Sequence, residues 1–367
     1  MRFGCKLALA LIVSTLPLQS ITAQVVQTVQ GKVSGVKEPN STVTVFKGIP
    51  FAAPPVGDLR WRAPQPLASW QGVRKADTFG TSCMQTITES MLPMHAPWTE
   101  EFLTHGKVSE DCLFLNIWSP KVGPKTDLPV VVFIHGGGFN SGSGDVALYD
   151  GTNLAAKVLV VVTINYRLSV FGFLAHPELT AESDHHSSGN YGIMDQIAAL
   201  KWVNENIANF GGNQHNVTIW GQSAGAFSVA ALVASPLTVG LFQRGQADSG
   251  LGFSGLPMMK LGDAENVGVK FAESRKAATI KELRSLPAEA LMQSPMTQGM
   301  GFSPIVDGWV LPDNPNNMSE KGTDNDVPIV TGYQAGDSSM FAFGGPSTLE
   351  AYHGTIEKQY GEMAAEF

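Results

Sequence analysis

The stretch "VTIWGQSAGAFSVA", Val217 to Ala230, decides the reading of this chain. A short apolar run, "VTIW", leads into Gly221-Gln222-Ser223-Ala224-Gly225, and a run of small and apolar residues follows as far as Ala234. Where a buried strand turns sharply into a helix, the residue at the turn is strained and pushed outward, and a serine there is a candidate nucleophile. Glycines two residues away on each side are needed because a Cβ would collide with the neighbouring strand or helix. The bare G-x-S-x-G pattern is common, with a purely structural turn as the competing reading. The strand before Ser223 and the helix after it favour the nucleophile.

Working outward, "GNYGIMDQIAALKWVNENIANFGG" carries Ile193, Ile197, Leu200, Val203 and Ile207 at helical spacing, which predicts a helix with one apolar stripe stopped by Gly211 and Gly212. "LPVVVFIHGGG" and "VLVVVTINYRL" are apolar throughout, as strands of a parallel sheet buried on both faces are. A short helix is expected around Asn153 to Lys157, and "CLFLNIW" is a further strand. Val25 to Phe46 predicts a small antiparallel sheet, and the proline-rich "GIPFAAPPVGDLRWRAPQP" an ordered surface crossing. From Gly252 to Asn325 the pattern weakens to helical pieces at Ala264–Ala272 and Ile280–Leu286, an insertion over the site. "VPIVTG" restores a buried strand, Val327–Thr331, and Thr348–Tyr360 reads as a helix with a charged face. Alternating strands and helices predict a doubly wound α/β sheet with its reactive groups beyond the carboxyl ends of the strands.

The chain has 367 residues, 43% of them hydrophobic, enough for a large core. Residues 1–23 combine Arg2 and Lys6, an apolar stretch from Leu7 to Leu18 and an Ile-x-Ala ending, which predicts a signal peptide cut before Gln24 and a secreted or periplasmic product. The apolar run is well short of the ~20 residues of a spanning helix, so no stable membrane anchor is expected after cleavage. Residues 24–367 then carry 22 basic against 32 acidic residues, a formal charge of −10. Without a basic stripe, nucleic acid is not an expected partner. Cys83 and Cys112 remain, and two thiols in an oxidising compartment point to a disulfide, two buried free thiols being the alternative.

An attacking serine needs donors for the oxyanion. "HGGGF", His135 to Phe139, ends a buried strand, where backbone N–H groups can converge with that of Ala224. A plain glycine turn is the competing reading. A phosphate loop is poorer, since no Lys-[Ser/Thr] follows the glycines, and Gly250, Gly252 and Gly255, although spaced as G-x-G-x-x-G, precede a proline rather than a periodic helix.

Six segments together resemble the type-B carboxylesterases, the carboxylesterase and cholinesterase family of the α/β-hydrolase fold. They are "FGGNQHNVTIWGQSAG", "EDCLFLNIW", "GIPFAAPPVGDLRW", "HGGGF", "NYRLSVFGFLA" and "GNYGIMDQIAALKWVNENIANFGG", and the likeness runs from about residue 31 to 340. It implies Ser223 as nucleophile, Gly137, Gly138 and Ala224 as the oxyanion hole, a Cys83–Cys112 disulfide, Ser249 in "ADSG" near the triad acid, and no metal or other cofactor. In the family an Asp-Glu pair follows the later strand, its second member being the triad acid, and Asp337 takes that position in "YQAGDSSMF". An N-cap or turn aspartate is the competing reading of Asp337.

The triad histidine of the family lies far beyond the acid, in a Gly-x-x-His stretch. Only 30 residues follow Asp337, and their single histidine, His353, lies 16 residues on, too close for a crossing helix, a strand and a return. His185 and His186, with Asp184, could hold a metal weakly, but a solvated loop is the better reading. The base is therefore expected to be absent from this chain, as in a piece of a longer esterase whose activity alone is open. Without a base the Ser223 hydroxyl stays protonated near neutral pH.

The sequence thus points to a secreted serine hydrolase of small-molecule carboxylic esters working through an acyl-enzyme, with amides or thioesters not separable from esters. Gln222 stands where cholinesterases carry a glutamate, which disfavours a quaternary-ammonium substrate. Phe253, Met258, Met259, Met296 and Phe302 are candidates for an apolar pocket or for ordinary core. The alternative from another class is a non-catalytic, neuroligin-like binding member of the fold.

Overall fold

In the computed structural model of the protein, the described residues are 23–86, 101, 104, 106–250, 258–292, 301–335, 337 and 348–366. The expected signal peptide lies outside them, apart from Ala23.

Twelve strands are present among these residues: β1 (Gln24–Gln27), β2 (Lys32–Lys37), β3 (Thr44–Pro50), β4 (Val73–Lys75), β5 (Ser82–Cys83), β6 (Val108–Ser109), β7 (Phe114–Ser119), β8 (Leu128–Ile134), β9 (Val160–Ile164), β10 (Gly212–Gln222), β11 (Arg244–Asp248) and β12 (Ile329–Gly332). All but β5 and β6 form one sheet, ordered β1-β2-β3-β7-β9-β8-β10-β11-β12 with β4 beside β2. From β1 to β9 along that order the pairings are antiparallel, and from β9 to β12 they are parallel. The antiparallel N-terminal strands are thus continuous with the parallel half rather than a separate sheet.

The helices are α1 (Thr152–Ala155), α2 (Ser169–Phe173), α3 (Pro177–Glu182), α4 (Tyr191–Asn206), α5 (Ala224–Ala234), α6 (Leu261–Ser274), α7 (Ile280–Arg284), α8 (Ala288–Met292), α9 (Pro315–Lys321) and α10 (Leu349–Tyr360). Helix α4 passes into a 3-10 turn at Ile207–Phe210 and stops at Gly211, whose φ of +94° suits a residue without Cβ. The expected stripe of α4 is buried, but so are Asp195, Gln196 and Trp202, so the helix is enclosed on several sides. Val130, Val132, Ile134, Val160, Val162 and Ile219 form the central core with residues of α4 and α5. On the opposite face, Val43, Val45, Trp118 and Val161 pack with Ala155 of α1. This is the α/β-hydrolase arrangement of a mixed sheet with helices on both faces.

Three expectations are corrected. Strand β10 has eleven residues, not four, because the polar "GNQHN" joins it through Gly212 opposite Leu128 across an irregularity in the register. The last parallel strand is Ile329–Gly332 and is not buried: among the described residues it is the sheet edge, with Val330 65% exposed. An apolar run gives the tendency to be covered, while burial needs a neighbour on each side. The weakly patterned region holds α8 and α9 besides α6 and α7, each too short to show a period. Phe302 is core, buried edge-on against Phe271, Met258 packs on the core, Met259 is exposed, and Phe253 and Met296 lie outside the described residues. No helix among the described residues is long and apolar enough to cross a membrane.

Candidate active site

Ser223 stands between the end of β10 and the start of α5 with φ 55° and ψ −121°, a combination that non-glycine residues rarely adopt. The two glycines explain how the turn closes. A Cβ on Gly221 would lie 2.2 Å from the carbonyl of Gly225, and one on Gly225 would lie 2.1 Å from the Ile134 carbonyl oxygen at the end of β8. Helix and strands therefore approach to backbone contact, and the crowded turn pushes Ser223 out. Its own N–H donates to the Asp248 carbonyl at 2.9 Å, tying the elbow to β11. Asp248 is steadied in turn by Trp220 Nε1 at 2.5 Å and Gln246 Nε2 at 2.9 Å, both donating to one carboxylate oxygen.

The loop after β8 faces the elbow. The ideal Cβ position of Gly136 is 3.2 Å from the Ser223 Cβ and 2.7 Å from the Gln222 carbonyl oxygen, so only a bare backbone fits between them. Beyond it the chain closes on itself: Asn140 N–H and Ser141 N–H donate to the Gly137 carbonyl at 3.0 and 3.1 Å, and Asn140 Nδ2 donates to the Gly138 carbonyl at 2.8 Å. Gly137 and Gly138 have φ of +103° and +62°. With their carbonyls used inside the turn, the N–H groups of Gly137 and Gly138 donate to no protein acceptor among the described residues. Two unspent donors beside a strained serine can receive an oxyanion.

The third expected component also arrives. Ser249 follows β11 with φ 54°, donates its N–H to Gly332 at the end of β12 (2.8 Å), and donates its hydroxyl to Asp337 Oδ2 at 2.5 Å. Asp337 also accepts from the Gln334 N–H at 2.7 Å, closing a turn beyond β12. Tyr333 is an unexpected neighbour: its hydroxyl donates to the Gly250 carbonyl at 2.6 Å, and burial, helped by the Asp337 charge, raises its pKa. No sequence pattern signals this contact, because the partner is a backbone carbonyl 83 residues away.

No histidine is brought to Ser223 among the described residues. His353 is on the exposed α10 against Tyr352, His185 stacks on Trp309 at 3.8 Å, and His176 caps α3 by accepting from the Glu178 N–H. His215 is exposed, and His95 and His105 lie outside the described residues. The Ser223 hydroxyl has no hydrogen-bond partner among the described residues. The Asp184, His185 and His186 trio forms no metal-binding group there either.

His135 is buried beneath the glycine loop, stacked on Tyr166 at 4.4 Å, with Nδ1–H donating to the Gly136 carbonyl at 2.8 Å. Burial pushes its pKa down to about 4, outweighing that bond and the Asp145 charge. The unfolded chain takes this proton near 6.5 and the folded chain only near 4. The His135 contribution to stability is therefore flat above pH 7 and falls as pH drops between those values, with a loss of about 3 kcal/mol by pH 4. His176, lowered chiefly by burial, adds in the same direction. Urea unfolding of native protein and a His135→Gln variant from pH 7 to 4 checks this: a slope as steep in the variant would rule it out.

The carboxylesterase family model matches residues 22–363. The chain belongs to the carboxylesterase family. It is similar to a fumonisin B1 esterase of Sphingopyxis macrogoltabida, 39% identical over 92% of this chain and 61% of that protein. It is also similar to a para-nitrobenzyl esterase of Bacillus subtilis, 36% identical over 88% of this chain and 64% of that protein. Among solved structures, a carboxylesterase of Geobacillus stearothermophilus superposes with a TM-score of 0.77 at 38% identity, over 92% of this chain and 67% of that one. The chain thus spans somewhat over 60% of the length of the two curated relatives. The Cys83–Cys112 disulfide expected of such a member is formed.

Proposed function

We propose that this chain carries the nucleophilic half of an exported carboxylic ester hydrolase. In this reading Ser223 Oγ attacks the ester carbonyl. The N–H groups of Gly137, Gly138 and Ala224 hold the tetrahedral oxyanion, the alcohol leaves, and water releases the acid from the acyl-enzyme. Asp337, held by Ser249, is the acid that orients a histidine base, which takes the Ser223 proton and gives it to the leaving alcohol; none of the described residues brings that histidine to Ser223. The observation that carries the proposal is the strained Ser223 elbow beside two N–H donors that no acceptor among the described residues uses. Relatives named as esterases at 36 to 39% identity support the reaction class. The apolar N-terminal run supports export.

A second reading, a non-catalytic binding member of the family, is favoured by one observation: the Ser223 hydroxyl has no partner among the described residues. Labelling with a fluorophosphonate, together with turnover of p-nitrophenyl acetate, separates the two. The expected result is labelling and turnover that both fall to background in Ser223→Ala. Equal signals in native and variant protein would overturn Ser223 as the nucleophile, while no signal in either fits both the binding reading and an esterase whose histidine base is not supplied by this chain.

A further inference from the structure

The glycine loop has a second anchor, reached from outside the elbow. The chain leaves β8 at His135, turns through Gly137 to Ser141, and returns at Gly142 against its own start. A Cβ on Gly142 would lie 2.4 Å from His135 Nδ1 and 2.7 Å from the Gly136 carbonyl oxygen. The position of Gly142 therefore sets where the loop begins.

Gln85 grips both polar groups of Gly142. The Gly142 N–H donates to Gln85 Oε1 at 2.8 Å, and Gln85 Nε2 donates to the Gly142 carbonyl at 2.8 Å. The same Nε2 donates to the Cys83 carbonyl at 3.1 Å, two residues back along the chain. A flipped amide would set its NH₂ against an N–H and its oxygen against two carbonyls, so only one orientation satisfies all three bonds. Gln85 is 6% exposed, which means that these bonds are made away from competing water. Cys83 is in turn bonded to Cys112, close to the start of β7 in the central sheet. A continuous support thus runs from sheet and disulfide through Gln85 to Gly142, and from there by direct contact to His135 and Gly136.

We propose that Gln85 is the positioning residue of the oxyanion loop, its carboxamide fixing Gly142 and through it the aim of the Gly137 and Gly138 N–H groups. The catalytic part rests on the function proposed above, while the structural part does not. An oxyanion donor works only within a few tenths of an ångström of its acceptor, so loosening this support acts on the transition state more than on substrate binding. Gln85 itself exchanges no proton and touches no substrate.

The discriminating variants are Gln85→Met, similar in length without the hydrogen bonds, and Gln85→Glu, which keeps an acceptor for the Gly142 N–H but sets a carboxylate against two carbonyls. Both are studied as the full chain, with far-ultraviolet circular dichroism to establish that they are folded. Hydrogen exchange is read over residues 136–142, and kcat and KM are measured with p-nitrophenyl acetate. The Gly142 amide is expected to lose at least about tenfold protection in Gln85→Met. The expected kinetic change is a fall in kcat of about a hundredfold in both variants, with KM within about twofold. Unchanged exchange in folded Gln85→Met overturns the proposal, as does an unchanged kcat or a change confined to KM. If native protein shows no turnover, the esterase reading fails for this chain, while the exchange result still decides whether Gln85 holds the loop. If both variants fail to fold, the proposal is overturned in favour of a role in folding.

Discussion

Gly225→Ala is expected to lower the free energy of unfolding by more than about 4 kcal/mol, and to abolish any esterase activity in whatever folded protein remains. The added methyl would sit 2.1 Å from the Ile134 carbonyl oxygen and 3.1 Å from that of His135. Neither obstacle is the flexible end of a side chain, so relief requires α5 to move away from β8. That movement opens the packing of Val229 and Val233 on the central sheet and displaces Ser223 from the glycine loop. Gly262→Ala is the matched control. Gly262 lies in α6 with nothing within 4 Å of its ideal Cβ and no positive φ, so alanine there is expected to be neutral or to stabilise by about 0.5 to 1 kcal/mol. Urea unfolding of the two variants decides the matter. A Gly225→Ala protein within about 1 kcal/mol of native would mean that the elbow is not closed by backbone contact.

The same geometry explains what is legible in the sequence. A glycine required by close approach leaves its mark whatever its surroundings, so Gly221, Gly225 and the glycines after His135 stand out from residue order alone. Asp337 is reachable only through the family resemblance, since its bond to Ser249 spans 88 residues and follows no local spacing. Helix α4 shows its apolar positions but not its enclosure, because Asp195 and Gln196 look like a solvated face until their partners are placed. Strand β12 differs in the opposite direction: "VPIVTG" has the composition of a central strand and, among the described residues, lies at the edge. Gln85 gives no signal, since a buried carboxamide that grips a backbone looks in sequence like any surface glutamine.

Asp195 provides the second large effect. Its carboxylate is fully buried and accepts three bonds from one residue: from Arg167 N–H at 3.0 Å, and from Nε and an η nitrogen at 2.7 Å each. Burial holds the Asp195 carboxyl above its usual range, and the Arg167 charge opposes that shift. Arg167 follows β9 and Asp195 belongs to α4, so the pair joins the sheet to the helix. Asp195→Ala leaves a guanidinium that is 3% exposed without its counter-charge and a backbone N–H without its acceptor. The expected loss is about 4 kcal/mol, read from the midpoint of urea unfolding. Arg167→Met strands the carboxylate in the same way and is expected to be similarly harmful. The double variant Arg167→Met with Asp195→Leu is expected to be less destabilised than either single one, because the desolvation of both charges disappears together. One Arg167 η nitrogen already lacks a partner among the described residues, so the native pair leaves part of the guanidinium's desolvation uncompensated. Additive losses in the double variant would instead mean that the two side chains act through packing, with their charges contributing little.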